Sequence, residues 1–229
     1  MRFLSLPAQV ELLAALRHFA VIAALAAAST TAMAAAALPQ RVLVFGDSLS
    51  SGYNLPDQAG FSSALLRRLR ADGYANAIVL NGSAAGNTSR DGLQRLPSAL
   101  QYGADLVIVE FGGNDMLQGV NPAVTYQNLD AIIKVCRAQG ARVILAGMLS
   151  LPKNGPYYNA AFDAIYPALA ARDHVPLYPF FLSGVYGHPG MMQADHEHPT
   201  AAGVRRIVAG IAPMVEKSLS HRTTATASR

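Results

Sequence analysis

Cysteine and charged residues are scarce in this chain, and tryptophan is absent. The single cysteine, Cys136, cannot form an intramolecular disulfide, so the fold must be held by its core. Its apolar, helix-like surroundings favour a core residue over a nucleophile. Charged residues make up 14% of the 229 positions and hydrophobic residues 52%, a balance that excludes an intrinsically disordered chain. The only dense basic stretch is residues 67–70, and no groove-reading or aromatic residues accompany it, so we expect no nucleic-acid partner.

The N-terminal segment has the pattern of an export signal. Two arginines and an unbroken apolar run at residues 19–28 come before Ala32-Met33-Ala34, the small-x-small pattern that signal peptidase cleaves. The apolar run is about half as long as the ~20 residues that a spanning helix needs. We therefore predict a cleaved signal peptide over residues 1–34, a periplasmic or secreted mature chain and no stable membrane anchor. An uncleaved anchor is the alternative.

Short runs rich in Val, Ile and Leu alternate with helical segments along the rest of the chain. The pattern predicts strands at 41–46, 77–81, 105–111, 142–148 and, more weakly, 175–178. It predicts helices at 61–71, 121–139, 159–171 and from Thr200 to about Leu219, followed by a disordered tail over residues 220–229. This alternation indicates an α/β fold with one domain over residues 35–219. We expect a flavodoxin-like three-layer sandwich whose five-stranded parallel sheet has the order 2-1-3-4-5, with helices on both faces.

Chemistry-bearing residues follow the first three predicted strands, and functional sites of such sheets form at the carboxyl ends of the strands. Ser48 comes directly after the first strand and could expose a nucleophilic hydroxyl, although a helix cap or a phosphate-binding turn would also use a serine there. Gly86 follows the second strand and could bring its N–H close to a ligand. Asn114 follows the third strand and is a candidate oxyanion donor, although Asn-Asp pairs also form turns.

A second polar cluster, Asp195-His196-Glu197-His198, lies just before the last helix. A serine needs a base, and the base needs a partner that fixes its tautomer. Asp195 stands three residues before His198 and can reach its Nδ1, which leaves Nε2 for the serine. Two alternatives are His196 as the base and a metal site that includes His188. The spacing favours Asp195 with His198, and we expect neither a metal nor a cofactor.

These segments together resemble the GDSL/SGNH hydrolase family over nearly the whole mature chain. The matching blocks are Gly46-Asp47-Ser48-Leu49, Gly86, Gly112-x-Asn114-Asp115 and Asp195-x-x-His198-Pro199. Within that family the chain is most similar to the bacterial thioesterase I, lysophospholipase and arylesterase group. One departure is Asn87, which stands where aspartate is common.

The resemblance implies a serine hydrolase in which Ser48, His198 and Asp195 are catalytic. It implies an oxyanion hole formed by the N–H groups of Ser48 and Gly86 and by the Asn114 side chain. The substrate, an ester, thioester or lysolipid, is expected to contact Asp47, Leu49, Asp115, Met116, Leu117 and Leu149. A monomer is the default expectation.

Three other classes share parts of this pattern. A carbohydrate O-deacetylase of the same fold would use the same catalytic set, but sugar stacking favours tryptophan, which this chain lacks. A non-catalytic binding protein would have no use for the whole set. A flavin or nucleotide binder would need a phosphate-binding loop of the GxGxxG or GxxxxGK[ST] type, and neither motif is present.

Overall fold

A computed structural model of the protein describes residues 39–226, and the side chains of residues 39–220. The predicted signal peptide lies outside these residues. The strands are β1 Gln40–Gly46, β2 Ala77–Asn81, β3 Leu106–Glu110, β4 Arg142–Ala146 and β5 Leu177–Tyr178. The helices are α1 Ser48–Ser51, α2 Phe61–Ala71, α3 Ser89–Leu100, α4 Gly113–Leu117, α5 Pro122–Ala138, α6 Pro156–Asp163, α7 Ile165–Asp173 and α8 Ala201–Thr226. Two short 3₁₀ turns cover Asp57–Ala59 and Pro152–Asn154.

The five strands form one parallel sheet in the order β2-β1-β3-β4-β5, which confirms the predicted fold class. All five residues of β3 are buried, because parallel strands joined by helical crossovers are covered on both faces. Helix α2 packs against α8, and α3 packs against α5. The last strand has only two residues and lies at the edge after Pro176, as the proline predicts.

The predicted helix bounds agree closely for α2 and α5 and differ elsewhere. Asn121 caps α5, where its side chain accepts from the N–H of Ala123 at 2.9 Å. The single helix predicted at 159–171 is two helices, α6 and α7. Pro167 lies in the first turn of α7, where its missing N–H is tolerated, whereas in the middle of one long helix it would break a hydrogen bond.

Helix α3 was not predicted, because Gly92 and Pro97 interrupt its pattern. Thr88 and Asp91 form a capping box at its start. Gly92 is required by packing, since a Cβ there would lie 2.5 Å from the Phe111 ring. Helix α8 extends to Thr226, past its predicted end near residue 219. The predicted chain divisions at residues 34 and 219 stay predictions.

The sheet brings the ends of β1, β2 and β3 to one edge. Each of these strands is followed there by one of the segments that the sequence singled out: 47–50, 82–88 and 112–115. Because β1 lies between β2 and β3, the segment that contains Ser48 lies between the other two. Within residues 39–226 we find no helix that is both long and apolar enough to cross a membrane.

Candidate active site

Ser48, His198 and Asp195 form a continuous hydrogen-bonded relay. The Ser48 Oγ lies 2.9 Å from the His198 Nε2, and the His198 Nδ1 lies 2.8 Å from the Asp195 Oδ2. Because an ionised carboxylate can only accept, Nδ1 carries the proton and Nε2 is free to accept from the serine hydroxyl. The serine is half-buried and the His198 side chain is 13% exposed, so neither residue is closed off from solvent.

The loop around Asp195 holds the carboxylate in its ionised form. Asp195 Oδ1 accepts from the backbone N–H of Glu197 at 2.9 Å and of His198 at 3.0 Å. These backbone bonds, followed by the bond from the His198 ring, lower the pKa of Asp195 to about 2. The loop closes where the N–H of Gln193 donates to the carbonyl of His198 at 2.8 Å. His196 sits at the turn with a φ of +59° and is exposed.

Ser48, the predicted nucleophile, lies in the first turn of a very short helix. Ser48 is the first residue of α1, where its backbone N–H has no acceptor within the helix. Asp47 caps this helix, accepting from the N–H of Leu49 at 3.0 Å. Gly46 is needed for close packing, since a Cβ there would lie 2.4 Å from the carbonyl oxygen of Glu110. The strand-to-helix junction therefore presents the serine hydroxyl and its own N–H at the edge of the sheet.

The two other predicted oxyanion donors lie on either side of this junction. Gly86 is exposed, with a φ of +79°, in residues 82–88, which we call the oxyanion loop. A Cβ at Gly86 would meet nothing within 4 Å, so the glycine is required by the backbone conformation and not by lack of space. Asn114 Nδ2 donates to Asp47 Oδ2 at 3.2 Å and to the carbonyl of Asn87 at 3.0 Å. Both amide hydrogens are therefore used, and an oxyanion would have to replace one of these acceptors.

The oxyanion loop is held by polar contacts from its neighbours. The Arg95 guanidinium donates to the Asn87 side-chain oxygen and, at 3.0 Å, to the carbonyl of Gly82. The hydroxyls of Ser83 and Ser50 lie 2.9 Å apart, which joins the loop to α1. Asn87, the residue that departs from the family pattern, thus has a partner that the sequence did not reveal.

Two acids next to α1, which begins at Ser48, are fully buried. Burial raises the pKa of Asp47 to about 7, against the opposing hydrogen bonds from Leu49 and Asn114. Burial, and then the nearby charge of Asp47, raise the pKa of Glu110 well above its ordinary value. Glu110 Oε2 accepts from the Ser50 hydroxyl at 2.7 Å.

Asp115 is a structural anchor in this structure. Its side chain is fully buried and accepts from the N–H and hydroxyl of Ser89, at 2.7 Å and 2.5 Å, and from the hydroxyl of Thr125 at 3.0 Å. These bonds join α4 to the starts of α3 and α5. The predicted substrate contact at Asp115, like that at buried Asp47, would need these oxygens to leave their present partners.

The apolar residues predicted to contact substrate divide into buried and exposed sets. Leu49 and Met116 are 8% and 5% exposed, whereas Leu117 and Leu149 are 42% and 44% exposed. The predicted loop of residues 149–158 ends at residue 155, directly before α6 begins, and it is joined to the end of α4 by the bond from Asn154 Nδ2 to the carbonyl of Met116 at 2.9 Å. The exposed pair is therefore open to solvent, whereas the buried pair belongs to the hydrophobic core.

Several residues near the relay were not identified from the sequence. Tyr53 packs its ring on the ring of His198, with centroids 4.4 Å apart. Gln193 closes residues 193–198, which we call the histidine loop. Glu110 accepts from α1, and Arg95 donates to the oxyanion loop. Only Glu110 leaves a sequence signal, because burying an acid inside an otherwise apolar strand is costly and therefore indicates a specific role.

The sequence also left open a metal site. Residues 39–220 contain no group of three or more His, Cys, Asp or Glu side chains arranged to hold an ion.

A serine, a histidine and an aspartate in relay, beside the predicted oxyanion donors at the carboxyl edge of a parallel sheet, form the arrangement of a serine hydrolase. The model of the GDSL-like Lipase/Acylhydrolase family matches residues 44–206, and the chain belongs to this family.

Similar proteins carry the names of enzymes that hydrolyse esters or thioesters. Esterase TesA of Pseudomonas aeruginosa is 42% identical over 184 residues, which cover 80% of this chain and 91% of that protein. The arylesterase of Vibrio mimicus is 40% identical, covering 72% of this chain and 83% of its own. Thioesterase 1/protease 1/lysophospholipase L1 of Escherichia coli K12 is 39% identical, and the match covers 81% of this chain and 88% of that protein. The protein is therefore a hydrolase of ester bonds, as the sequence predicted.

Solved structures agree with this assignment. The crystal structure of TesA matches with a TM-score of 0.74 over 78% of this chain and 99% of that one, at 42% identity. The esterase EstA from Pseudoalteromonas, in a structure inhibited by monoethylphosphonate, matches with a TM-score of 0.74 at 28% identity, covering 79% and 99%.

Proposed function

We propose that this protein is an exported serine esterase that hydrolyses carboxylic esters or thioesters through an acyl-enzyme on Ser48. The observation that carries the proposal is the relay from Asp195 through His198 to Ser48, with both hydrogen bonds shorter than 3 Å. Relatives named esterase, arylesterase and thioesterase 1/lysophospholipase L1 support the choice of substrates.

The relay supplies the proton transfers of the reaction. Ser48 Oγ attacks the acyl carbonyl while His198 Nε2 takes its proton, and ionised Asp195 stabilises the imidazolium that forms. His198 then gives the proton to the leaving oxygen or sulfur, and the carbonyl carbon stays bonded to Ser48. A water molecule that gives its proton to His198 attacks this ester, and release of the acid returns the proton to Ser48.

The negative charge of each tetrahedral intermediate develops on the former carbonyl oxygen. In this proposal the N–H groups of Ser48 and Gly86, which come from neighbouring segments, donate to it. Asn114 becomes the third donor by giving up one of its present acceptors, and its bond to Asp47 is the longer of the two. Such preorganised donors are often the largest single contribution to catalysis of acyl transfer.

The first experiment is hydrolysis of p-nitrophenyl esters from acetyl to palmitoyl. The mature chain should be active and Ser48→Ala should lose activity by at least about 10³-fold. Ser98→Ala, which removes an exposed hydroxyl on α3, is the matched control and should keep full activity. Optimal acyl chains of four or more carbons would favour the acyl-chain site beside Leu117 and Leu149. A folded Ser48→Ala variant with full activity would refute the proposal.

Covalent labelling tests the acyl-enzyme site directly. Because a related esterase is inhibited by monoethylphosphonate, an activated ethylphosphonate ester should add one phosphonyl group to the peptide that contains Ser48. Mass spectrometry should find the label there and not in the Ser48→Ala variant. A label on another residue would contradict the assignment of the nucleophile.

Export is tested separately. The sequence pattern predicts that the protein recovered from the periplasm or medium begins near Ala35. Mass measurement of that protein should show the loss of residues 1–34. Recovery of the uncut chain in the membrane fraction would contradict export as a cleaved protein.

A further inference from the structure

Tyr53 covers the ring of the catalytic-site histidine without being buried itself. Its ring centroid lies 4.4 Å from that of His198, with the planes 37° apart, and the residue is 41% exposed. An aromatic side chain of this size normally buries most of its surface, so partial exposure beside the relay leaves apolar ring area for a ligand.

The position of His198 fixes where the leaving group must lie. The His198 Nε2 faces Ser48 Oγ, and the same nitrogen must reach the leaving oxygen to protonate it. The leaving group is therefore placed against the edge of the imidazole that faces Ser48. The carbonyl oxygen points instead toward the donors at Gly86 and Asn114. Tyr53 packs on the same imidazole, so a leaving group against that ring would lie near the tyrosine.

The backbone of Tyr53 is fixed before any ligand binds. Gly52 ends α1 with a φ of +90°, a conformation that turns the chain back toward the relay. The carbonyl of Tyr53 accepts from Gln193 Nε2 at 3.0 Å, and the N–H of Gln193 donates to the carbonyl of His198. The tyrosine and the histidine are thus held by one residue, Gln193, through its side chain and its backbone N–H, so contact with a ligand requires little further ordering.

We propose that Tyr53 is a specificity-determining residue whose ring contacts the leaving group and favours planar aromatic leaving groups over alkyl ones. This inference rests on the proposed function, because the leaving group is located through the Ser48–His198 relay. It concerns the alcohol or thiol side of the substrate, whereas Leu117 and Leu149 concern the acyl side.

Two esters with the same acyl group isolate the leaving group. Phenyl acetate and ethyl acetate form the same acetyl-enzyme, so any difference between them must arise in acylation. The ratio of the two kcat/KM values depends partly on the intrinsic reactivities of the two esters. That contribution is the same for every variant, so it cancels when the ratio is compared between two variants. Tyr53→Leu should lower the ratio about three- to tenfold, the effect expected from one aromatic pair. Deacylation of the common intermediate, measured by rapid mixing, should change less than twofold.

Control variants separate the ring from other effects. Tyr53→Phe retains the ring and should retain the phenyl-to-ethyl ratio. Tyr102→Leu replaces an exposed tyrosine at the opposite end of the sheet, before β3, and should not change the ratio. A ratio that stays within twofold in Tyr53→Leu would overturn the proposal. Equal losses for both esters with slower deacylation would also overturn it, since the ring would then act by positioning His198.

The outcome also distinguishes this inference from the proposed function. If Ser48→Ala is inactive on both acetates and the ratio is unchanged in Tyr53→Leu, only the role of Tyr53 is wrong. If Ser48→Ala hydrolyses both esters, the relay itself is not the catalytic centre and both proposals fail.

Discussion

Replacing Asn114 with alanine tests the oxyanion hole, and the structure gives the size of the expected effect. Loss of one oxyanion donor costs about 2.7–4 kcal/mol in other serine hydrolases. Here the amide must first release Asp47 or Asn87, because Nδ2 already donates to both. A typical hydrogen bond contributes about 1 kcal/mol net, which reduces the expected loss to about 2–3 kcal/mol. We therefore expect kcat of Asn114→Ala to fall about 30- to 150-fold, less than for an unengaged donor.

The assay is steady-state hydrolysis of p-nitrophenyl butyrate, with kcat and KM determined separately. The loss should appear in kcat, because the bond to the oxyanion forms only in the transition state. Asn121→Ala is the matched control: it removes the cap of α5 and should lower the free energy of unfolding by about 1 kcal/mol, with kcat unchanged. A change of less than threefold in kcat of Asn114→Ala would refute the assignment. So would a loss confined to KM.

Three further predictions concern pH, the histidine loop and the core. Because burial raises the pKa of Asp47 to about 7 and that of Glu110 well above its usual value, the folded state keeps protons that the unfolded state releases above about pH 4. The free energy of unfolding should therefore fall as pH rises from 5 to 8, and in urea titrations Glu110→Gln should show a shallower fall; an equal slope would contradict this. His196→Gly relieves a positive φ at an exposed residue, so it should retain activity, and its free energy of unfolding should stay within about 1 kcal/mol of the original. His198→Ala should lower kcat by at least about 10³-fold. The reverse result would make His196 the base. Leu129 is fully buried on α5, so Leu129→Ala should lower the free energy of unfolding by about 2–5 kcal/mol in denaturant titrations. The kcat/KM of the folded fraction should not change. A loss below about 1 kcal/mol would contradict a core position for Leu129.

Local sequence signals predicted the sheet well because its strands are short and apolar. The runs at β1 and β3 contain Val, Ile and Leu at consecutive positions, and this pattern fits a strand that is buried on both faces. The same signals failed where two local rules conflict. Helix α3 carries Gly92 and Pro97, which disfavour a helix, and it forms because the capping box and packing against Phe111 outweigh them.

The relay was predictable in part because one of its two bonds is local. Asp195 and His198 are three residues apart, and a short turn closes that distance. The bond from His198 to Ser48 joins residues that are 150 positions apart, and only the resemblance to the hydrolase family indicated that they come together. Tyr53 could not be predicted, because its contact with His198 depends on the turn at Gly52 and on the bond to Gln193, neither of which has a sequence pattern. The catalytic roles themselves stay predictions until the variants are measured.

The buried acids show how the site uses groups that a core normally excludes. Burying Asp47 and Glu110 opposes folding, as their raised pKa values indicate. Yet Asp47 caps the helix that carries Ser48 and holds the amide of Asn114, and Glu110 accepts from Ser50 on the same helix. An apolar pair of similar size would remove the desolvation cost but would leave these donors unpaired in a buried place, which is also unfavourable. Local rules fail most often at functional sites. The position of these acids, directly under the nucleophile, therefore supports the view that they fix its geometry at some cost in stability.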